Sequence, residues 1–359
     1  MSAALEPPYG ARDAGDMAAR LIGIPDQIDE ALARGAASPW IVPAAAPDLL
    51  AVGALGGSAM SADLTATLYA DRSPRPMLTV REYRWPACVT RASLALLSSY
   101  SGNTEETLAL YREAGARGIP RVAITTGGAL AESCTRDGVP FATLPGGSPP
   151  RAALFGSWVA VTRLVAALGW VDDPTPAWRE AAQALRSAGR SLAPDVPEAQ
   201  NRAKRTARAL HGCFVFIYSG SERLGPVATR VRTQLNENAK LLAHSALVPE
   251  LNHNEIVGWE RPAVLGERAA VLILRDAEDP PEVTTRLSLT ADYVKRQGGR
   301  VVEFEPPAGG RLARMASVIQ FGDYVSFYAA LLNQVDPTPI ASIDEFKRRL
   351  AEWGAGRAR

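Results

Sequence analysis

The chain has 359 residues, enough for about two ordinary domains, and 47% of them are hydrophobic, enough for a full core. Its 39 Lys and Arg nearly cancel its 38 Asp and Glu, so no strong field draws it to nucleic acid or an anionic membrane. Three scattered cysteines (Cys88, Cys134, Cys213) and three histidines (His211, His244, His253) argue against a disulfide framework, a zinc site or a His-rich metal centre, and for a reducing cytoplasm.

The opening segment, 1–43, carries Glu6, Pro7, Pro8, Arg12 and Asp13 where a signal peptide needs an apolar core. It reads as helical over 18–34, kinked or split at Pro25. Strand-like runs then alternate with helical patterns, which predicts parallel sheets with crossover helices. Strands are expected at 49–52, 77–80, 94–97, 121–124 and 141–144, and helices at 60–70, 104–116, 130–136 and 152–168. The longest apolar stretch, 152–170, holds Arg163 and two glycines and reads as a buried helix rather than a membrane span. A proline-rich break at 172–176 precedes two helices, 177–192 and 198–211. A second α/β run opens with a strand at 213–218. It continues with a helix striped by Val227, Val231 and Leu235, strands at 269–274 and 300–305, and helices at 283–296, 312–332 and 343–353. The strand at 50–55 ends in Gly56-Gly57-Ser58 and that at 213–218 in Ser219-Gly220-Ser221, so the halves read as copies of one doubly wound unit. The division is 1–43, a first domain 44–170, a helical connection 171–212 and a second domain 213–359.

Chemistry concentrates at Ser98-Ser99-Tyr100-Ser101-Gly102-Asn103-Thr104, between a strand and a helix. Free N–H groups of a first helical turn and the positive end of its dipole form an anion site. Ser99, Ser101 and Thr104 supply hydroxyls, and Gly102 permits close backbone approach. The alternative is a corner whose Ser and Thr only cap the helix. No P-loop lysine is present and the glycine spacing at 53–58 does not fit G-x-G-x-x-G, so one phosphate monoester suits the site better than a nucleotide. The second half has no counterpart, which predicts one phosphate site per chain. Three further clusters are Pro149-Pro150-Arg151 before an apolar helix, Asn236-Glu237-Asn238-Ala239-Lys240 within a helix, and Leu251-Asn252-His253-Asn254-Glu255, read as a buried polar turn. Taken singly, each also fits a helix start, a solvated face or a structural histidine.

Together these pieces, with Asp336-Pro337-Thr338-Pro339 and Lys347 in the tail, resemble the bifunctional phosphoglucose/phosphomannose isomerases, built from SIS (sugar isomerase) domains. The resemblance spans about residues 45–350 in family order. It implies two doubly wound, flavodoxin-like parallel-sheet SIS subdomains with flanking helices. The implied enzyme is a metal-independent, cofactor-free cytoplasmic aldose–ketose isomerase of carbohydrate metabolism (glycolysis and gluconeogenesis), acting on glucose 6-phosphate, mannose 6-phosphate or both, with fructose 6-phosphate as the ketose. By position, Gly57, Ser58, Ser99, Ser101 and Thr104 would hold the substrate phosphate. Glu237 would be the base, Arg151 would stabilise the enediolate, Lys347 would assist at the ring oxygen, and His253 would serve ring opening from the partner subunit of a homodimer. The chain departs from the family in Ala59-Met60 after the first glycine turn and in extra length near 170–200 and 258–285. Two other readings stay open: a non-catalytic SIS module that senses a sugar phosphate, and an isomerase for a single or different sugar phosphate.

Overall fold

The computed structural model describes residues 2–261 and 268–357; 262–267, within the stretch read as extra length, lie outside the described residues. A helical lead-in, α1 (Met17–Ile22) and α2 (Ile24–Ala37), breaks at Gly23, and Pro25 sits near the start of α2, where its fixed φ is tolerated. A five-stranded parallel sheet follows: β1 (Leu50–Ala54), β2 (Met77–Val80), β3 (Leu94–Ser99), β4 (Arg121–Thr125) and β5 (Phe141–Thr143), in the order β2-β1-β3-β4-β5. Its crossovers are α3 (Gly56–Leu68), α4 (Glu105–Ala116) and α5 (Gly128–Asp137), and α6 (Leu154–Ala167) closes the unit. Every residue of β1 and β3 is buried, as a strand covered on both faces requires.

After α7 (Thr175–Leu192) and α8 (Arg202–Leu210) the pattern repeats with β6 (Phe214–Gly220), α9 (Ser221–Ala239), β7 (Ala243–Val248), β8 (Ala269–Leu274), α10 (Pro281–Arg296) and β9 (Arg300–Phe304). The second sheet runs β7-β6-β8-β9, the same winding one strand shorter. Sequence reasoning missed β7. His244 and Ser245 interrupt its apolar character, and as an edge strand it is only partly buried, so no continuous hydrophobic run marks it.

The halves meet through helices: α3 packs on α6 and α9, and α11 (Arg311–Leu332) packs on α7, α8 and α9. Every residue of α11 from Leu312 to Leu332 is buried, so a helix long and apolar enough to cross a membrane serves here as the central core helix. The extra length near 170–200 includes α7, wedged between α2 and α11, where Trp178 meets Trp158 edge-on at 4.9 Å and donates its indole N–H to Thr162 Oγ1. The last helix, α12 (Ala341–Arg357), leaves this body: residues 341–350 are all exposed, including Ile343, Phe346 and Leu350.

Candidate active site

In a doubly wound sheet the ligand crevice opens where strand order reverses, here between β1 and β3. The register sets Ala54 opposite Ser98, so the chain emerges from both strands side by side. β3 runs two residues beyond the expected strand, making Ser99 its last, buried member. Ser99 Oγ lies 2.8 Å from Thr104 Oγ1 and accepts the Gly102 N–H at 3.1 Å, and Ser101 Oγ accepts the Asn103 N–H at 3.2 Å. Gly102 needs to be glycine twice over: its φ is +70°, and a Cβ there would stand 1.8 Å from the Gly127 carbonyl oxygen.

Three helices begin at this end of the sheet, and their caps differ. Asn103 Oδ1 accepts the Ala129 N–H, so α5 is capped. Thr104 occupies the cap position of α4, yet its side chain caps no N–H and is engaged with Ser99 instead. Leu55 precedes α3 and cannot cap. α3 starts four residues earlier than the sequence suggests, so Gly56-Gly57-Ser58 is its first turn rather than a preceding loop. The reading of these hydroxyls as mere caps therefore loses its basis at α4. Two uncapped N-termini, α3 and α4, flank one crevice.

Arg151 sits in a 3-10 turn, Pro150–Ala153, against the start of α3; a Cβ on Gly57 would lie 3.3 Å from the Pro150 carbonyl. Tyr100 joins this turn to the hydroxyl loop, donating to Pro145 O at 2.9 Å and accepting the Ser148 N–H at 3.1 Å. The Arg151 side chain is 4% exposed and fully directed. Its Nε donates to Asn238 Oδ1 at 2.7 Å, and its Nη2 to Pro337 O at 2.6 Å and Thr338 O at 2.8 Å. Nη1 is left 3.7 Å from Glu237 Oε2, on a carboxylate that keeps 32% of its surface open. Burial pulls the guanidinium's pKa down and the nearby Arg230 adds to this, while Glu237 opposes it.

Behind this pair lies a polar network that sequence reasoning did not assign. Arg230 donates to Arg151 O at 2.7 Å and pairs with Asp323, whose pKa burial raises while Arg230 lowers it. Asn238 donates to Ser326 Oγ at 3.0 Å. Lys240, at φ +52° just past α9, donates to the carbonyls of Glu237 (2.8 Å), Asp336 (3.1 Å) and Pro337 (3.2 Å), tying the helix end to the tail. The available signal was charge in the wrong place: Asp323 interrupts an apolar helix and Arg230 lies within the Val227–Val231 core stripe.

His253 and Lys347 do not join this cluster within one chain. His253 is exposed after β7, and its ring has no hydrogen bond among the described residues. The residues around it are anchored: Asn252 donates to Thr290 Oγ1, Asn254 to Glu250, and Glu255 receives the Tyr218 hydroxyl at 2.6 Å beside His244 at 3.2 Å. The expected buried polar turn is thus a surface turn. Leu251 and Trp259 are its buried anchors, leaving His253 and Asn254 outside. Lys347 is exposed on α12, with no hydrogen bond or ion pair to the cluster.

At the matching switch point of the second sheet, between β6 and β8, carboxylates replace the hydroxyl loop. Asp276 is buried under Arg314, and burial lifts the Asp279 carboxyl to about 6. That crevice has no counterpart of the Ser99–Thr104 hydroxyls. A cleft of about 530 Å³ at the end of α3 and the start of α11, walled in part by Tyr69, Arg72, Glu180 and Arg311, contains none of the candidate site residues.

Residues 199–350 match the family model described as the bacterial phospho-glucose isomerase C-terminal SIS domain. The chain is 38% identical to the bifunctional phosphoglucose/phosphomannose isomerase of Caldicellulosiruptor bescii, over 92% of this chain and 97% of that protein. It is 29% identical to the protein of the same name from Aquifex aeolicus, over 82% and 88%. Among solved structures, a hypothetical protein from Thermus thermophilus superposes with a TM-score of 0.73 at 17% identity, covering 95% of this chain and 91% of that one.

Proposed function

The chain belongs to the bifunctional phosphoglucose/phosphomannose isomerases and is a sugar-phosphate isomerase; from that premise we propose that it interconverts glucose 6-phosphate and mannose 6-phosphate with fructose 6-phosphate through one enediolate. The observation that carries this reading is the buried Arg151 guanidinium, 3.7 Å from the half-open Glu237 carboxylate and beside the Gly57 turn.

The substrate phosphate sits between the uncapped starts of α3 and α4, held by the backbone at Gly57 and by Ser58, Ser99, Ser101 and Thr104. In the open-chain aldose, Glu237 takes the C2 proton, and the electron pair moves into a C1–C2 double bond as charge collects on O1. Arg151 Nη1, its fixed and desolvated donor, stabilises that charge. Passage of the O2 proton to O1 and return of the abstracted proton from Glu237 to C1 give the ketose. Glucose 6-phosphate and mannose 6-phosphate differ only at C2, so the enediolate erases their difference. His253 opens the sugar ring from the partner subunit of a homodimer, assisted by Lys347. Two features support this: His253 stands exposed on an anchored turn, its ring without a hydrogen bond among the described residues, and α12 presents exposed Phe346 and Leu350.

The test is fructose 6-phosphate formation from each aldose separately, with chelator-treated protein. Turnover of both sugars supports the proposal; turnover of one restricts it to a specialised isomerase. If neither reacts but a hexose phosphate still raises the Tm, the chain is a binding module and the catalytic reading fails.

A further inference from the structure

The N-terminal segment touches the active-site turn at more points than packing alone requires. Arg151 is carried by a short 3-10 turn that is fixed on one side by running into α6 and has no strand or helix on the other, so its position also depends on what grips the turn. On the leading side, Arg20 of α1 donates through Nη1 to Ser148 Oγ at 2.9 Å and Gly147 O at 3.2 Å. On the trailing side, Gln27 of α2 donates through Nε2 to Ala152 O at 2.8 Å. A third contact reaches the tail: a Cβ on Gly15 would fall 2.1 Å from Thr338 Oγ1, so the Gly15 backbone lies directly on Thr338, whose carbonyl receives Arg151 Nη2. The segment is itself held. Asp13 accepts the Met17 and Ala18 N–H groups at the start of α1, Arg20 Nε reaches Gly15 O, and Glu6 pairs with the buried Lys204 at 3.0 Å.

We propose that residues 13–27 are a positioning element of the active site, in which Arg20 and Gln27 clamp the two sides of the Arg151 turn and Gly15 packs on the side chain of Thr338, the residue whose carbonyl Arg151 uses. This rests on the reading of Arg151 as the enediolate-stabilising group. None of the three residues touches substrate in this scheme; they fix the guanidinium within the fraction of an ångström that charge stabilisation demands. The phosphate-binding groups lie on α3 and on the 99–104 segment, to which neither Arg20 nor Gln27 hydrogen-bonds; their hydrogen-bonded link to the gripped turn is Tyr100 at Ser148. Loosening the clamp therefore lowers kcat and spares KM.

The experiment uses the full chain with Arg20→Met and Gln27→Met, which keep side-chain volume and remove the donors, and Arg20→Lys, which keeps one donor. Arg186→Met is the control: Arg186 binds Asp26 and Asp29 on the same α2 helix but no site loop. The expected result is a kcat reduced about tenfold or more in each Met variant, with KM for glucose 6-phosphate within about twofold of wild type. Arg20→Lys recovers part of the loss and Arg186→Met keeps full turnover. Equal kcat across all variants, or a fall in Tm with specific activity of the folded fraction unchanged, overturns the proposal and leaves the functional reading intact. A wild-type chain that turns over no hexose phosphate overturns both.

Discussion

Gly102→Ala is the sharpest structural test of the phosphate cradle. The new Cβ would stand 1.8 Å from Gly127 O, about 1.6 Å short of ordinary contact, and the partner is a backbone atom rather than a flexible side chain. Neither side yields freely. Gly127 O receives the Thr125 hydroxyl at 2.8 Å, and Gly102 O receives the Leu130 N–H at 2.9 Å. Holding a non-glycine residue at positive φ costs about 1–2 kcal/mol. Displacing the loop to relieve the contact breaks two or more hydrogen bonds at about 1 kcal/mol each. A total of about 3–4 kcal/mol corresponds to a Tm lower by about 5 °C for a chain of this size. Because the same displacement moves the hydroxyls and the first N–H groups of α4, kcat/KM should fall by about 10²-fold or more, mostly through KM. Coupled detection of fructose 6-phosphate gives the kinetics, and thermal shift with added glucose 6-phosphate reads the binding. Wild-type Tm together with wild-type kcat/KM would refute the reasoning.

Four other outcomes follow from the same geometry. Glu237→Gln should reduce isomerisation by about 10³-fold or more while glucose 6-phosphate still raises the Tm; undiminished turnover would show that Glu237 is not the base. Exhaustive chelation should leave turnover unchanged, and a loss that zinc restores would contradict the metal-independent scheme. Mixing the separately inactive Glu237→Gln and His253→Ala proteins under subunit exchange should recover about a quarter of wild-type activity, since half the dimers then hold one intact composite site. No recovery, with exchange verified, would place His253 outside the partner's site. Asp279, raised by burial to about 6, binds a proton in the folded state that it has lost in the unfolded chain between roughly pH 4 and 6, so its contribution to stability falls as pH rises through that window. Asp279→Asn should therefore raise the Tm at about pH 7.5, with the gain vanishing near pH 4; a gain independent of pH would show that ionisation is not the cause.

The fold was legible because its strands are buried on both faces and its halves repeat one winding. β1, β3 and β8 are continuous apolar runs, and the strand order follows once two doubly wound units are read. The edge strand β7 was not legible, since a half-exposed strand carries polar residues at will. Helix starts were misplaced where glycine opens them: the first turn of α3 has poor intrinsic propensity, and its environment rather than its sequence makes it helical. At the site, the motifs named Arg151 and Glu237, but nothing local says that residues so far apart in the chain approach to 3.7 Å. That approach depends on α3 packing against both α6 and α9, which is a property of the assembled halves. The grips of Arg20 and Gln27 were equally hidden, because an arginine and a glutamine on a short amphipathic lead-in look like a solvated face.

The poles of the helices explain why this arrangement suits the proposed chemistry. The proposed phosphate site lies at two N-termini, α3 and α4, where dipoles and free N–H groups favour negative charge. The proposed base, Glu237, lies at the opposite pole of a helix, the last turn of α9, where it and Asn238 precede the helix end. There the exposed carbonyls favour cations, and the chain supplies two: Lys240 on the carbonyls of Glu237 and Pro337, and Arg151 on Asn238 and the Pro337–Thr338 carbonyls. A guanidinium held by neutral oxygens, with Glu237 at 3.7 Å its one ion pair among the described residues, keeps positive charge on its remaining corner. Had Arg151 been neutralised by a bidentate carboxylate, as Arg314 is by Asp276 in the second half, no charge would be left for an enediolate. The duplicated unit has thus been used in two senses. On the proposed reading, its first copy gathers helix N-termini around an anion, and its second fills the same crevice with carboxylates and carries the base at the C-terminus of α9.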